Sequence, residues 1–405
     1  MRPRICAAAL FLFRGRLPGL GRRYWLLWTG LVVSRFGDGF LGIGVLWQVF
    51  VQTGSVMDLG LTFATYSAAL AAGRLLLGPL ADRHDRRRLM VTLDVTRAVL
   101  TVVPLLLTLA GALPVWVLAA VYVATGVLTT AYSPAASASL PQLVRGGALP
   151  RANRWLYGGS EAAHLIGPAV GGLMIAAVGA PRAMALDGIS FLLCALCVVA
   201  LPLGAGGGGA APAGIAAGWR EVRRSPILSA IAWLSATLWG TDTVFIVLFV
   251  PLVVTRLHGG AADVGLLEAA VSAGAIVASW LAGRWPSAWV WPAVPMFCLA
   301  TAAMAVAPSM LWAYVLQALA GLFTATFMIP ASVIYQQTAP DQLLGRAFAA
   351  RGALTSASRS GAALLAGAVA AALGVAATFG AIGIAGFAVS GALVWMARRR
   401  DVLAA

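Results

Sequence analysis

From Tyr24 onward the chain alternates long apolar runs with short breaks rich in arginine, proline or glycine. The runs fall at about 24–50, 56–80, 89–110, 114–138, 155–178, 183–203, 227–254, 263–283, 289–307, 311–336, 347–372 and 375–397. Each approaches or exceeds the roughly 20 apolar residues that a helix needs to cross a hydrocarbon core of about 30 Å. The pattern predicts an all-α polytopic membrane protein with twelve transmembrane helices. Backbone polar groups have no water to bond inside a bilayer, so each run must close its hydrogen bonds within itself as a helix.

Composition agrees with the pattern. The mean hydropathy is +0.90, and 10% of residues are charged, against about 25% in soluble chains. Twelve spans consume roughly 250 residues, which leaves short loops and no room for a sizeable soluble domain. All 28 basic residues are arginine. Without lysine the chain has neither a P-loop nor a pyridoxal Schiff base. The net charge of +15 is no nucleic-acid signature here, because its arginines follow the membrane topology. Twenty-two lie in or at the edge of the N-terminus, the C-terminus and the even-numbered connections, and only Arg182 and Arg256 lie in the odd ones. This asymmetry predicts an even number of spans in a bacterial inner membrane, with both termini cytoplasmic.

The domain reading is a basic tail at 1–23, a six-helix half at 24–203, a cytoplasmic linker at 204–226, a second six-helix half at 227–397 and a tail at 398–405. The linker's Gly204–Gly209 stretch satisfies G-x-G-x-x-G literally, but no strand precedes it and no acid follows about 20 residues on, so it reads as a flexible connection. The halves echo each other: Pro141, Gln142, Leu143 and Arg145 after span 4 recur as Pro340, Gln342, Leu343 and Arg346 after span 10. Duplicated transporter halves leave such copies. Cys194 and Cys197 spell C-x-x-C inside an apolar run with no nearby histidine, and read as small packing residues. No metal or cofactor site is legible, and His84, His164 and His258 are too scattered to build a catalytic cluster.

Two motifs carry a mechanism. At the end of span 2 the chain reads G-P-L-A-D-R-H-D-R-R-R-L, Gly78 to Leu89. Gly78 permits close helix approach, Asp82 is an anion at the rim, and Arg83, Arg86 and Arg87 can pair with it or with lipid phosphates. Span 5 carries G-P-x-x-G-G at Gly167, Pro168, Gly171 and Gly172, a proline-opened helix with a close-packing face. The first motif resembles the signature between spans 2 and 3 of the major facilitator superfamily, with Asp85 where a second glycine is usual. The second is similar to the antiporter signature of its proton-coupled exporters, with Ala163 at the usual leading glycine. Leu186, Asp187, Ser190 and Phe191 in span 6, with Asp94 and Arg97 in span 3, resemble the macrolide-efflux and siderophore-exporter branch. Tyr122 stands where many proton-coupled members carry an arginine in span 4.

Ionisable groups inside a bilayer are costly and mark pathways by default. Asp38 lies about 22 Å beyond the Arg23 rim, just past the midplane, one turn from Arg35; Asp242 holds nearly the same depth in span 7. These three, with Glu161 on span 5, are the proton-coupling candidates. Asp58, Asp187, Asp263 and Glu268 lie near span ends and read as interfacial. Arg74 and Asp94 lie at matching depths of about 12 and 9 Å on adjacent helices, which predicts a buried pair, with Arg97 as the competing partner. The resemblance implies that spans 1, 4, 5, 7, 8 and 11 line a central cavity, so Trp47, Tyr132, Trp239, Phe245 and Arg359 become candidate lining. The expected function is secondary export of a small amphipathic organic molecule against proton entry, by a monomer in the lipid bilayer. Uptake by symport on the same fold is the alternative, and the expectation includes neither enzymatic activity nor a nucleic-acid partner.

Overall fold

The structure is a computed structural model that describes residues 20–77, 84–144, 148–204, 215–281, 287–340 and 343–399. The first half begins with α1 (Arg22–Thr53), α2 (Val56–Leu76) and α3 (Arg86–Leu109), and continues through α4 (Val115–Leu143), α5 (Leu149–Val178) and α6 (Ala180–Val199). After a linker helix, α7 (Ile215–Arg224), come α8 (Pro226–Pro251), α9 (Ala261–Leu281), α10 (Val290–Ala303), α11 (Met310–Thr338), α12 (Leu344–Leu373) and α13 (Val375–Arg399). Apart from α7, these twelve helices coincide with the twelve apolar runs. Ten of them are long and apolar enough to cross a membrane by that measure alone. The other two are α2, which carries Asp58 and Arg74, and α10, which reaches 17 residues with its terminal turn. The chain is a multi-pass, all-helical membrane protein.

Local chemistry sets the helix ends. Asp85 caps α3 by accepting from the Arg88 amide at 2.8 Å, and Ser225 caps α8 by accepting from the Leu228 amide at 3.4 Å. Prolines occupy the first turns of α5, α6 and α8, where no amide partner is needed. The turns after α5 and α12 each use a glycine with positive φ, Gly179 at 84° and Gly374 at 85°, which suits a residue without Cβ. These two turns occupy matching places in the two halves.

Helix pairings repeat as well. In the first half α3 packs along α6, and in the second α10 packs along α13. The α1–α5 contact of the first half corresponds to α8–α12 in the second, where Ser358 donates to the Ala236 carbonyl at 2.7 Å and lies against Gly240. The described chain forms two compact units, one drawn from 1–48 and 72–209 and the other from 49–71 and 210–405. Residues 49–71 join the second unit because Gly60 of α2 presses on the α12 backbone: a Cβ there would meet the Ala363 carbonyl at 2.7 Å.

The linker is not wholly irregular. Ile215–Arg224 forms a short helix with Val222 buried, and Gly218 lies against the backbone of Arg346 and Ala347. The glycine run at 205–209 lies outside the described residues, as do the tail at 1–19 and the C-terminal residues from Arg400.

Candidate functional site

The first unit is organised around α1. Glycines at seven-residue spacing, Gly30, Gly37 and Gly44, meet α6 at successively earlier positions along it. A Cβ on Gly30 would lie 3.2 Å from Cys194 Sγ, one on Gly37 2.8 Å from Ser190 Cβ, and one on Gly44 2.8 Å from Met184 Cγ. Missing side chains let antiparallel helices approach this closely. Cys194, Cys197 and Cys298 are buried, and the first two pack against Gly30.

Another face of α1 meets the span-5 motif. A Cβ on Gly39 would sit 2.5 Å from the Gly167 carbonyl carbon and 2.6 Å from Pro168 Cδ, and one on Gly171 would sit 3.1 Å from the Phe40 ring. Gly171 and Gly172 are both buried. The G-P-x-x-G-G segment therefore clasps α1 on the residues beside Asp38. Asp38 accepts from Arg35 Nη1 at 3.4 Å, and its side chain keeps 26% exposure against 42% for Arg35, so the pair is partly open.

Deeper in the same unit lies a closed charge cluster. Arg97 on α3 is 2% exposed and its Nη2 donates to Asp94 Oδ1, while Nη1 donates to Thr129 Oγ1 at 3.4 Å. Its guanidinium lies 4.5 Å from the Tyr132 ring centre and 4.2 Å from that of Phe191. The Tyr132 hydroxyl is 3.0 Å from Cys194 Sγ. Asp187 on α6 is fully buried; its Oδ1 accepts from Ser190 Oγ at 2.8 Å, and its Oδ2 has no hydrogen-bond partner among the described residues.

Several sequence expectations change here. Asp94 meets Arg97, one turn along its own helix, and not Arg74, whose side chain is exposed. An i,i+3 pair has its geometry preset by the helix, whereas a cross-helix pair needs both faces turned inward. Asp187 is a core residue and not an interfacial one. Tyr132 and Phe245, expected to line open space, are each 4% exposed. Tyr132 is enclosed by Arg97 and Cys194, and Phe245 by the rings of Phe249 and Phe379. Trp47 is half-buried on α1.

In the span 2–3 motif, Gly78, Asp82 and Arg83 lie outside the described residues. Arg86 donates to the Ala138 carbonyl on α4 at 2.9 Å, tying α3 to α4, while Arg87 and Arg88 are exposed. Asp85, at the place of a usual glycine, has φ −59° and serves as the cap, so no left-handed turn is needed there. Glu161 falls within α5, with its side chain outside the described set.

The second unit has its own constellation. Arg359 on α12 stacks between Phe63, 5.4 Å away, and Trp239, 5.1 Å away. Asp242 lies in the field of Arg359, and Glu268 on α9 in the field of Asp242. Sequence reasoning named Asp242, Trp239 and Arg359 separately and missed Phe63 and the electrostatic link of Glu268 to Asp242. For Asp187 a signal was present: Asp187, Ser190 and Cys194 recur at i, i+3 and i+7 and mark one small, polar face.

The comparisons agree with this architecture. The Major Facilitator Superfamily model matches residues 27–311. The multidrug efflux pump Tap of Mycolicibacterium fortuitum is 27% identical over 90% of this chain and 93% of its own. The enterobactin exporter EntS of Citrobacter koseri is 26% identical over 78% of this chain and 77% of its own. Macrolide efflux protein A of Streptococcus pyogenes is 24% identical, and the match spans 44% of each chain. Among solved structures, a POT family transporter with a bound thioalcohol-conjugated peptide superposes at a TM-score of 0.73, with 11% identity, 93% of this chain and 96% of that one covered. A bacterial homologue of the human lysosomal transporter Spinster, inward-facing and unoccupied, gives 0.69 with 16% identity over 93% and 97% of the two chains.

Proposed function

Because the chain belongs to the major facilitator superfamily of membrane transporters, we propose that it is a proton-coupled exporter of a small amphipathic organic molecule, working as a monomer by alternating access. The observation that carries this reading is the clasp of Gly167, Pro168 and Gly171 on α1 beside Asp38. An acid that can gain and lose a proton sits on a helix whose packing depends on backbone contact. Neutralising it changes the polarity of that helix where it meets α5, and this supports a link between proton occupancy and helix position. The partial exposure of Asp38 and Arg35 gives a proton access.

The direction is export because the span-5 motif resembles that of antiporters and because efflux proteins stand among the relatives. Uptake by symport becomes an outcome of the test. Trp239 and Arg359, with Asp242 beside them, are the proposed substrate contacts of the second unit, an aromatic and charged mixture suited to an amphipathic molecule; Trp47 on α1 is a separate candidate of the first unit. Glu161 remains a secondary proton candidate. Asp82 is proposed as the gating anion of the span 2–3 motif, at the cytoplasmic rim. Both termini are assigned to the cytoplasm of a bacterial cell by the arginine distribution.

The test uses cells expressing the protein and measures accumulation of ethidium, erythromycin and enterobactin with and without a protonophore. Export of at least one probe should collapse with the gradient. Asp38→Asn should abolish gradient-driven export while the variant stays folded and membrane-inserted. Unchanged active export by that variant overturns the coupling role of Asp38, and gradient-driven accumulation by wild type overturns the direction.

A further inference from the structure

The arrangement behind Asp38 points to a second proton site. We propose that Asp187 is the inner proton acceptor of the first half, exchanging one proton with Asp38 across the Gly37 contact between α1 and α6. The inference rests on the proposed coupling role of Asp38 and extends it to a residue the motifs leave without a task.

Three observations converge. Asp187 is fully buried, and its Oδ2 is left without a hydrogen-bond partner among the described residues. A buried carboxylate with an orphaned oxygen and no ion pair is expensive, and a proton on that oxygen removes the cost. Second, Asp187 lies against Gly37, the residue preceding Asp38, and the two acids lie in each other's field. Two carboxylates on either side of this contact are costly to ionise together, which favours one proton held between the two sites. Third, the exposures differ: Asp38 is partly open and Asp187 is sealed. The open acid can load, and the sealed one can store.

The surrounding charges are accounted for. From α1 come Asp38 and its partner Arg35; from α3, Arg97 with its partner Asp94; from α4, Tyr132; and from α6, Ser190, which fixes Asp187 Oδ1, and Cys194. Arg97 is already engaged by Asp94, so its charge reaches Asp187 through space and not as an ion pair. In the exchange, the O–H bond on Asp38 breaks and one forms on Asp187, with no other atom or electron moved. Asp38 then carries the negative charge that holds Arg35. The reverse transfer neutralises Asp38 and frees Arg35. Gly37 is required because any side chain there would separate α1 from Asp187.

Infrared difference spectroscopy of the purified full chain, between acid and alkaline buffer, reads buried carboxyl groups directly. A protonated-carboxyl band should vanish in Asp187→Asn and shift in Asp38→Asn, while Asp242→Asn leaves that band in place. Ser190→Ala keeps the acid but removes its hydrogen bond, and should shift the same band even where Asp187→Asn folds poorly. Gradient-driven export of whichever probe wild type extrudes should be lost in Asp187→Asn. A carboxyl spectrum that neither Asp187→Asn nor Ser190→Ala alters would overturn the proposal. So would full export by Asp187→Asn alongside loss in Asp38→Asn, which leaves the Asp38 reading standing; full export by Asp38→Asn instead removes the premise.

Discussion

Replacing Gly39 by alanine should separate α1 from α5, and Gly42→Ala on the same helix supplies the control. A Cβ at Gly39 would lie 2.5 Å from the Gly167 carbonyl carbon and 2.6 Å from Pro168 Cδ, whereas at Gly42 the nearest atom is the Tyr122 hydroxyl at 3.9 Å. Carbon atoms rest about 3.5–4.0 Å apart, so the Gly39 variant must open the contact by roughly 1 Å against backbone that cannot rotate away. Overpacking of this kind costs about 1–3 kcal/mol. Alanine also gains about 1 kcal/mol of helix propensity over glycine, unopposed at Gly42 and outweighed at Gly39. The two variants should therefore differ by roughly 1–3 kcal/mol in stability, since the propensity gain is common to both and cancels. Cys194, Cys197 and Cys298 are buried, so in a Cys6→Ser background a thiol-reactive fluorescent dye reports unfolding of the purified protein on heating. Gly39→Ala should melt below wild type and lose gradient-driven export, while Gly42→Ala should melt at or above wild type and keep it. Equal midpoints for the two variants would refute the reasoning, because only the clasp distinguishes the two sites.

Removing the Arg97 guanidinium leaves Asp94 charged and buried without compensation, so Arg97→Ala should cost about 3–5 kcal/mol, read as folded yield and thermal midpoint. The double variant Asp94→Asn/Arg97→Met should recover part of that loss, and strictly additive losses would reject the pair. Asp85→Ala removes the α3 cap and should cost about 1 kcal/mol, whereas Asp85→Gly, which restores the superfamily's usual residue, should cost only a few tenths. Hydrogen exchange at the Arg88 amide checks this, and unchanged protection in Asp85→Ala would exclude the capping role.

The helices were legible because a bilayer leaves the backbone few alternatives: an apolar run of sufficient length must be helical, and arginine marks where it meets water. Even the ends of α1, α8 and α12 fall within a few residues of the apolar runs. Ionic partners were not legible to the same degree. Counting residues gives a depth for Arg74 and Asp94 but no rotation about the helix axis, and rotation decided that Arg97 is the partner. Asp187 misled for a related reason, since nearness to a span end along the chain says nothing of burial when α1 and α3 cover that end. The glycine run before α7 likewise masked a ten-residue helix whose own composition, Trp219 and Val222 among Arg220, Arg223 and Arg224, is amphipathic.

In a soluble helix the inward face is read from its apolar residues, but a membrane helix is apolar on both faces, so that signal is absent. The inward face must be read instead from the residues that are small. On α1 the glycines at 30, 37 and 44 recur every seven residues, and each meets α6; Gly39 falls outside this series and meets α5. Two glycine sets on one helix thus assign two neighbours, and Asp38 lies between them. Gly37 lets Asp187 and Gly39 lets Pro168 approach the α1 backbone on either side of Asp38, so the chemistry of the site depends on the packing of the helix that carries it.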